Sequence, residues 1–171
     1  SVTLEHFTGT RGGTIPPGVE RMIVPAAADA WMTALVEHGT MSFEQVATPA
    51  LEYARDGIAV GVKLADTMAN FAEEADQWPT RALAYATEGK FPGLGERLQQ
   101  PALARTFERL IEVEKKNTSL GREQAIQAAR DFFYKGEIAE EIVDFVKEGD
   151  GFLSMSDMAD FSVGHEAPET G

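Results

Sequence analysis

The segment that decides the fold runs from Arg130 to Phe161 and reads RDFFYKGEIAEEIVDFVKEGDGFLSMSDMADF. Within it Ile138, Ile142, Phe145 and Val146 recur at helical spacing, and Glu137, Glu140, Glu141 and Asp144 take the other face. That is the pattern of an amphipathic helix laid against a core. Gly149 supplies the residue type that tolerates a left-handed C-terminal cap, and Phe152 and Leu153 form a short apolar link, with a short strand placed at 151–153. A new helix is predicted directly after it, because Ser154 with Asp157 three residues on approximates a capping box.

The same residues carry a family resemblance. An aromatic-Tyr-Lys-Gly-Glu-Ile-Ala stretch, a helix, a Gly-rich break and Leu-Ser-Met-Ser-Asp-Met-Ala-Asp-Phe resemble the large-subunit region of γ-glutamyltransferases, which are N-terminal-nucleophile (Ntn) amidohydrolases and acyltransferases. Three further blocks match in the right order: IVPAAADAW (23–31), HGTMSFEQVATPALEYARDGIAV (38–60) and GERLQQPALARTFERLI (95–111). The resemblance implies a mainly α chain, 1–171, forming a single helical domain as a fragment of a longer precursor. It would sit beside the αββα sheet core, with the rest of the large subunit and the small catalytic subunit as partners and a small-molecule amide as substrate.

Composition sets the outer limits. At 171 residues the chain fits one domain of ordinary size, able to bury about 70% of its unfolded surface. The 43% apolar and 25% charged content is that of a globular protein, and no run approaches the roughly 20 apolar residues of a membrane span. The net charge is −13, and residues 137–171 hold ten acids against Lys147. Such a surface repels phosphate backbones, so nucleic acids and anionic membranes are discounted as partners. The absence of cysteine removes any disulfide framework, thiol nucleophile or thiolate metal site, and leaves localisation open. A start at SVTLEHF, with neither an initiator Met nor a signal sequence, predicts an internal position in something longer.

Taken in order, Ser1–Glu20 is dense in Gly and Pro and predicts loop, with at most a short strand at Val2–Phe7. Met22, Ile23 and Val24 read as a short buried strand entering Pro25, which opens a helix over 26–38 with Ala27, Ala30, Trp31, Ala34 and Leu35 facing inward. Ser42 and Gln45 make a capping box for a helix with Phe43, Val46, Ala47, Ala50, Leu51 and Ala54 inward, split in two near Thr48 by Pro49 and ending near Gly57. A helix over 62–74 carries Leu64, Met68, Phe71 and Ala72, and an irregular stretch from Gln77 to Gly95 is packed down by Trp78 and Tyr85. Pro101 opens a helix to about Glu114 with Leu103, Phe107, Leu110 and Ile111 buried. After a polar stretch closed by Gly121, Arg122–Phe133 is helical through Ala125, Ala128 or Ala129, and Phe132. That passage resembles an insertion shared by a bacterial subgroup of the family.

The chemistry implied by the resemblance is autocatalytic cleavage that frees a threonine, whose α-amino group is its own general base. None of this chain's threonines lies in the Thr-Thr-His context of that nucleophile, and the Gly12–Gly13 pair is a poor match to the family's oxyanion glycines. No catalytic residue is assigned. The family also uses a large-subunit arginine to hold the substrate carboxylate, and Arg11 is the substrate-binding candidate here, although GTRGG departs from the expected motif. His6, His38 and His165 are isolated, no HExxH or GxSxG occurs, and the Glu137, Glu140, Glu141 cluster reads as a solvated face, so no metal or cofactor is expected.

The activity expected of the full-length protein is γ-glutamyl transfer or glutathione hydrolysis through an acyl-enzyme, with this piece alone inactive. A related Ntn amidohydrolase with a non-glutamyl substrate, cephalosporin-acylase-like or oxamate-amidase-like, is the alternative, and a non-catalytic helical interaction module is the third. Helices at 26–38, 101–114 and 137–148 each carry an apolar stripe, so the isolated chain is expected to self-associate.

Overall fold

The computed structural model of the chain describes residues 3–74 and 79–166. They divide into two compact units, residues 1–42 with 113–171, and residues 43–112. Helix is the main element in both. Among the described residues strand is confined to β1 (Ile58–Ala59) and β2 (Arg97–Leu98), with one further bridge between Thr87 and Lys90.

In the first unit α1 (Leu4–Thr10) replaces the predicted strand at Val2–Phe7. The breakers begin only at Gly9, whereas Thr3 accepts from the His6 amide as an N-cap, Glu5 complements the first turn, and Phe7 is buried. A 3₁₀ turn over Val19–Arg21 follows, and Met22–Val24 is extended but not a strand: no described residue pairs with it, and Ile23 is 81% exposed. Residues 151–153 likewise have no strand partner.

The α2 helix (Ala27–His38) begins one residue later than predicted, and its buried side is not the predicted one. Asp29 and Met32 are buried, while Ala27, Ala30, Ala34 and Trp31, the last 66% exposed, face outward.

Three helices complete this unit: α7 (Arg122–Lys135), α8 (Glu137–Glu148) and α9 (Met155–Asp160). Their core is Tyr134, Ala139, Val143, Val146, Leu153 and Met158, flanked by Val24, Ala28 and Phe133. In α8 Val143 takes the place expected of Phe145, which is 46% exposed. The capping box of α9 is present as read: Asp157 N–H donates to Ser154 Oγ at 3.3 Å, and Ser154 N–H donates to Asp157 Oδ2 at 2.9 Å.

The end of α8 differs from the expectation. Gly149 has φ −96°, and the left-handed residue is Asp150 at φ +58°. Glycine is needed here for close approach instead, since a Cβ on Gly151 would lie 2.4 Å from Val146 Cγ1 and one on Gly149 2.7 Å from Val19 Cγ2.

In the second unit α3 (Phe43–Asp56) runs unbroken through Pro49. Pro49 is exposed, and the burial of Phe43, Ala47 and Ala54 holds both ends of the rod. Val46 and Ala50, placed inward by the sequence, are exposed. Gly57, at φ +85°, ends the helix where a Cβ would meet Arg97 Cγ at 2.6 Å, and β1 then pairs antiparallel with β2, Ile58 opposite Leu98 and Ala59 opposite Arg97.

Two further helices of this unit, α4 (Val62–Glu73), burying Met68, and α5 (Pro79–Tyr85), lie between the two strands, α5 in a stretch predicted irregular. The Tyr85 ring packs on Phe71 at 5.4 Å as expected, whereas Trp78 lies outside the described residues. Finally, α6 (Pro101–Lys116), whose residues up to Glu112 belong to this unit, starts at the predicted proline and buries Ala104 and Leu110, with Leu103 exposed.

Candidate functional site

Two polar clusters stand out in the first unit. The deeper one joins the first turn of α2, one face of α7 and the chain that leaves α9. Asp29 is only 1% exposed. Arg130 Nε donates to its Oδ1, the Val163 amide donates to Oδ2 at 2.7 Å, and the Thr33 hydroxyl donates to Oδ1 at 3.4 Å. Arg130 also donates through a terminal nitrogen to the Phe161 carbonyl at 2.7 Å and lies 5.0 Å from the centre of the Tyr134 ring. One helical turn along from Arg130, the Tyr134 hydroxyl accepts from the Asp29 amide at 3.0 Å and donates to the Pro25 carbonyl.

The electrostatics of this cluster follow from its contacts. Burial pushes the Asp29 carboxyl upward, but the hydrogen bonds from Arg130, Val163 and Thr33 and the Arg130 charge outweigh it, so the group is held below its ordinary value. Arg130 is raised, first by its hydrogen bond to Asp29, and Tyr134 is raised, first by burial. Both Asp29 oxygens are occupied as acceptors, which leaves the carboxylate unfit as a general base and well suited to fixing backbone. Sequence reasoning missed this cluster, since Asp29 interrupts an alanine-rich helix and its partner is 101 residues away.

The second cluster contains the predicted Arg11. It follows the last turn of α1 and pairs with Glu20, guanidinium to Oε1 at 2.8 Å, while Glu20 Oε2 lies 3.4 Å from His6 Nε2. The His6 ring is edge-on to Phe7 and Phe152. Beside them is an open cavity of about 650 Å³ walled by Phe7, Ile15, Glu20, Arg21 and Met22. Arg11 thus already holds a carboxylate, the chemistry asked of it toward a substrate, but that carboxylate is the chain's own.

The remaining polar groups are placed otherwise. Glu140 and Glu141 lie exposed on α8, and His165 meets Glu37 at 2.9 Å. Among the described residues no three His, Cys, Asp or Glu side chains converge as a metal site. The hydroxyls of Thr8, Thr48, Thr67 and Thr106 donate to the carbonyl one turn back in their own helices, at 2.7 to 3.2 Å. A hydroxyl engaged in this way is not poised as a nucleophile.

Comparison with known proteins places this arrangement. The family model described as Gamma-glutamyltranspeptidase matches residues 1–171. Glutathione hydrolase proenzyme 1 of Schizosaccharomyces pombe is 29% identical over 149 residues, covering 85% of this chain and 21% of that protein. The solved structure of LmbA2991HD is 34% identical with a TM-score of 0.86, over 99% of this chain and 31% of its own. Cephalosporin acylase from Bacillus halodurans is 25% identical with a TM-score of 0.76, over 95% of this chain and 29% of its own. The chain spans well under half the length of each.

Proposed function

The chain belongs to the gamma-glutamyltranspeptidase family, and from that premise we propose that it is part of the large subunit of an enzyme acting on the amide bonds of γ-glutamyl compounds such as glutathione. The reaction passes through an acyl-enzyme on an N-terminal threonine outside this chain. The observation that carries the reading is the family match over residues 1–171, to which the four ordered sequence blocks add. The commitment of Asp29 and of the helix threonines to bonds within the chain is consistent with a scaffold whose chemistry is supplied elsewhere. The remainder of the large subunit and a small catalytic subunit are its partners, in keeping with the proenzyme name of the Schizosaccharomyces pombe relative. Arg11 takes part in substrate binding only by exchanging Glu20 for the substrate carboxylate. The test is turnover by the full-length protein of glutathione beside simple amides, with glutamate release as the expected result.

A second reading is favoured by the likeness to cephalosporin acylase from Bacillus halodurans, at 25% identity over 95% of this chain. Turnover of non-glutamyl amides alone, without glutamate release, selects it.

A further inference from the structure

An extended chain turns the carbonyl of residue i and the amide of residue i+2 to the same edge, where a neighbouring strand would meet them. Phe161 is extended, at φ −68° and ψ 135°, and its carbonyl and the Val163 amide are met by one pair of side chains. Arg130 donates to the Phe161 carbonyl at 2.7 Å, Asp29 accepts from the Val163 amide at 2.7 Å, and the two side chains are joined to each other. A donor and an acceptor, fixed by their mutual ion pair, therefore occupy one edge of this segment as the backbone of a strand would. The other edge belongs to Ser162, whose amide and carbonyl have no hydrogen-bond partner among the described residues. Ser162 and Gly164 are both exposed, and His165 ties the segment back to α2 through Glu37.

We infer that Asp29 and Arg130 serve as a strand surrogate, holding 161–163 extended so that the Ser162 edge pairs with a β-strand from the remainder of the same polypeptide. An extended backbone is the partner that matches a row of alternating amides and carbonyls, since a helix has its own engaged internally. The polypeptide has the length to supply one, because this chain covers only 21% of the Schizosaccharomyces pombe relative. The inference rests on the proposed reading of the chain as part of a longer enzyme. Both side chains are positioning residues in it, acting on the backbone and not on a substrate.

The test is residue-resolved hydrogen exchange on the full-length protein. Protection of both the Ser162 and Val163 amides is the expected result. Arg130→Lys, whose single nitrogen cannot span Asp29 and Phe161, and Asp29→Asn should each speed Val163 exchange at least tenfold relative to the Val143 amide. Ser162→Pro removes only the outer amide and suits the ψ of 135° at Phe161, so it should leave Val163 protected. A Ser162 amide that exchanges as freely as an exposed loop in the full-length protein overturns the inference without needing any variant. So does Val163 protection that neither Arg130→Lys nor Asp29→Asn moves while the melting temperature falls. Glutathione turnover by the unmodified protein is measured apart. A protected Ser162 in a protein that releases no glutamate supports the surrogate and sinks only the γ-glutamyl reading.

Discussion

Replacing Arg130 with Met keeps an unbranched apolar stem and removes the guanidinium with its charge, so it tests the buried pair directly. The substitution strips Asp29 of its ion pair, the Phe161 carbonyl of its donor and the Tyr134 ring of its cation. It leaves a carboxylate that is 1% exposed, with only the Val163 amide and the Thr33 hydroxyl to hold it. Removing one partner of a buried ion pair costs about 3–5 kcal/mol, and urea unfolding at neutral pH should show a loss in that range. The dependence on pH carries more information than the size. In the unmodified protein Asp29 is held below its ordinary value, by the Arg130 hydrogen bond, the Val163 amide and the Arg130 charge acting against burial. Its contribution is therefore present above the unfolded pKa of about 3.9 and is lost as pH falls toward the folded value. In Arg130→Met burial prevails, the folded pKa moves above the unfolded one, and acidification through that window stabilises the variant. The gap between the two proteins should close as pH falls. A loss below about 1 kcal/mol, the size of an exposed pair, or a gap that stays constant with pH, refutes the reasoning.

Three other outcomes follow from the same structure. Gly151→Ala places a methyl 2.4 Å from Val146 Cγ1 and 3.0 Å from the Val19 carbonyl, so it should lower stability by about 1–3 kcal/mol through overpacking, read in the urea midpoint. Asp157 is depressed first by the Ser154 hydroxyl and then by the Ser154 amide. Ser154→Ala should move its pKa upward in an NMR titration, and the stability this group lends above its unfolded pKa should fade at a higher pH. Trp31 is exposed, one turn from the exposed Ala27 on α2, so the isolated 171-residue chain should sediment as more than a monomer and Trp31→Glu should shift it toward monomer; a strictly monomeric parent chain contradicts this.

The parts of the fold legible in the sequence are those decided within a few residues of one another. The Ser154–Asp157 box, the bounds of α8 at Glu137–Glu148 and the start of α6 at Pro101 depend on local caps and periodicity, and the structure has them where they were read. The failures are non-local. Periodicity marks which face of α2 is apolar but not which face meets α7, and the answer turned on Asp29, a charged residue buried because Arg130 is there to receive it. Val24 and Leu153 are apolar enough for strands, yet a strand needs a partner and none is described for either. β1 and β2 went unread for the opposite reason, being two residues each and far apart in sequence. Arg11 could be located by its residue type, while Glu20 as its mate is visible only in three dimensions.

The pairing of Ile58 with Leu98 and of Ala59 with Arg97 gathers residues 60–96 into a single excursion with its two ends held side by side. Closing a loop costs entropy that grows only with the logarithm of its length, about 0.6 kcal/mol for each doubling. The closure itself therefore sets little limit on how long that excursion is, so long as Gly57 and the two short strands persist. The limit comes from Val60 and Met68, which are buried, so added length is tolerated at open turns such as Gly89 and Gly95, where even a Cβ would meet nothing within 4 Å, and not within α4.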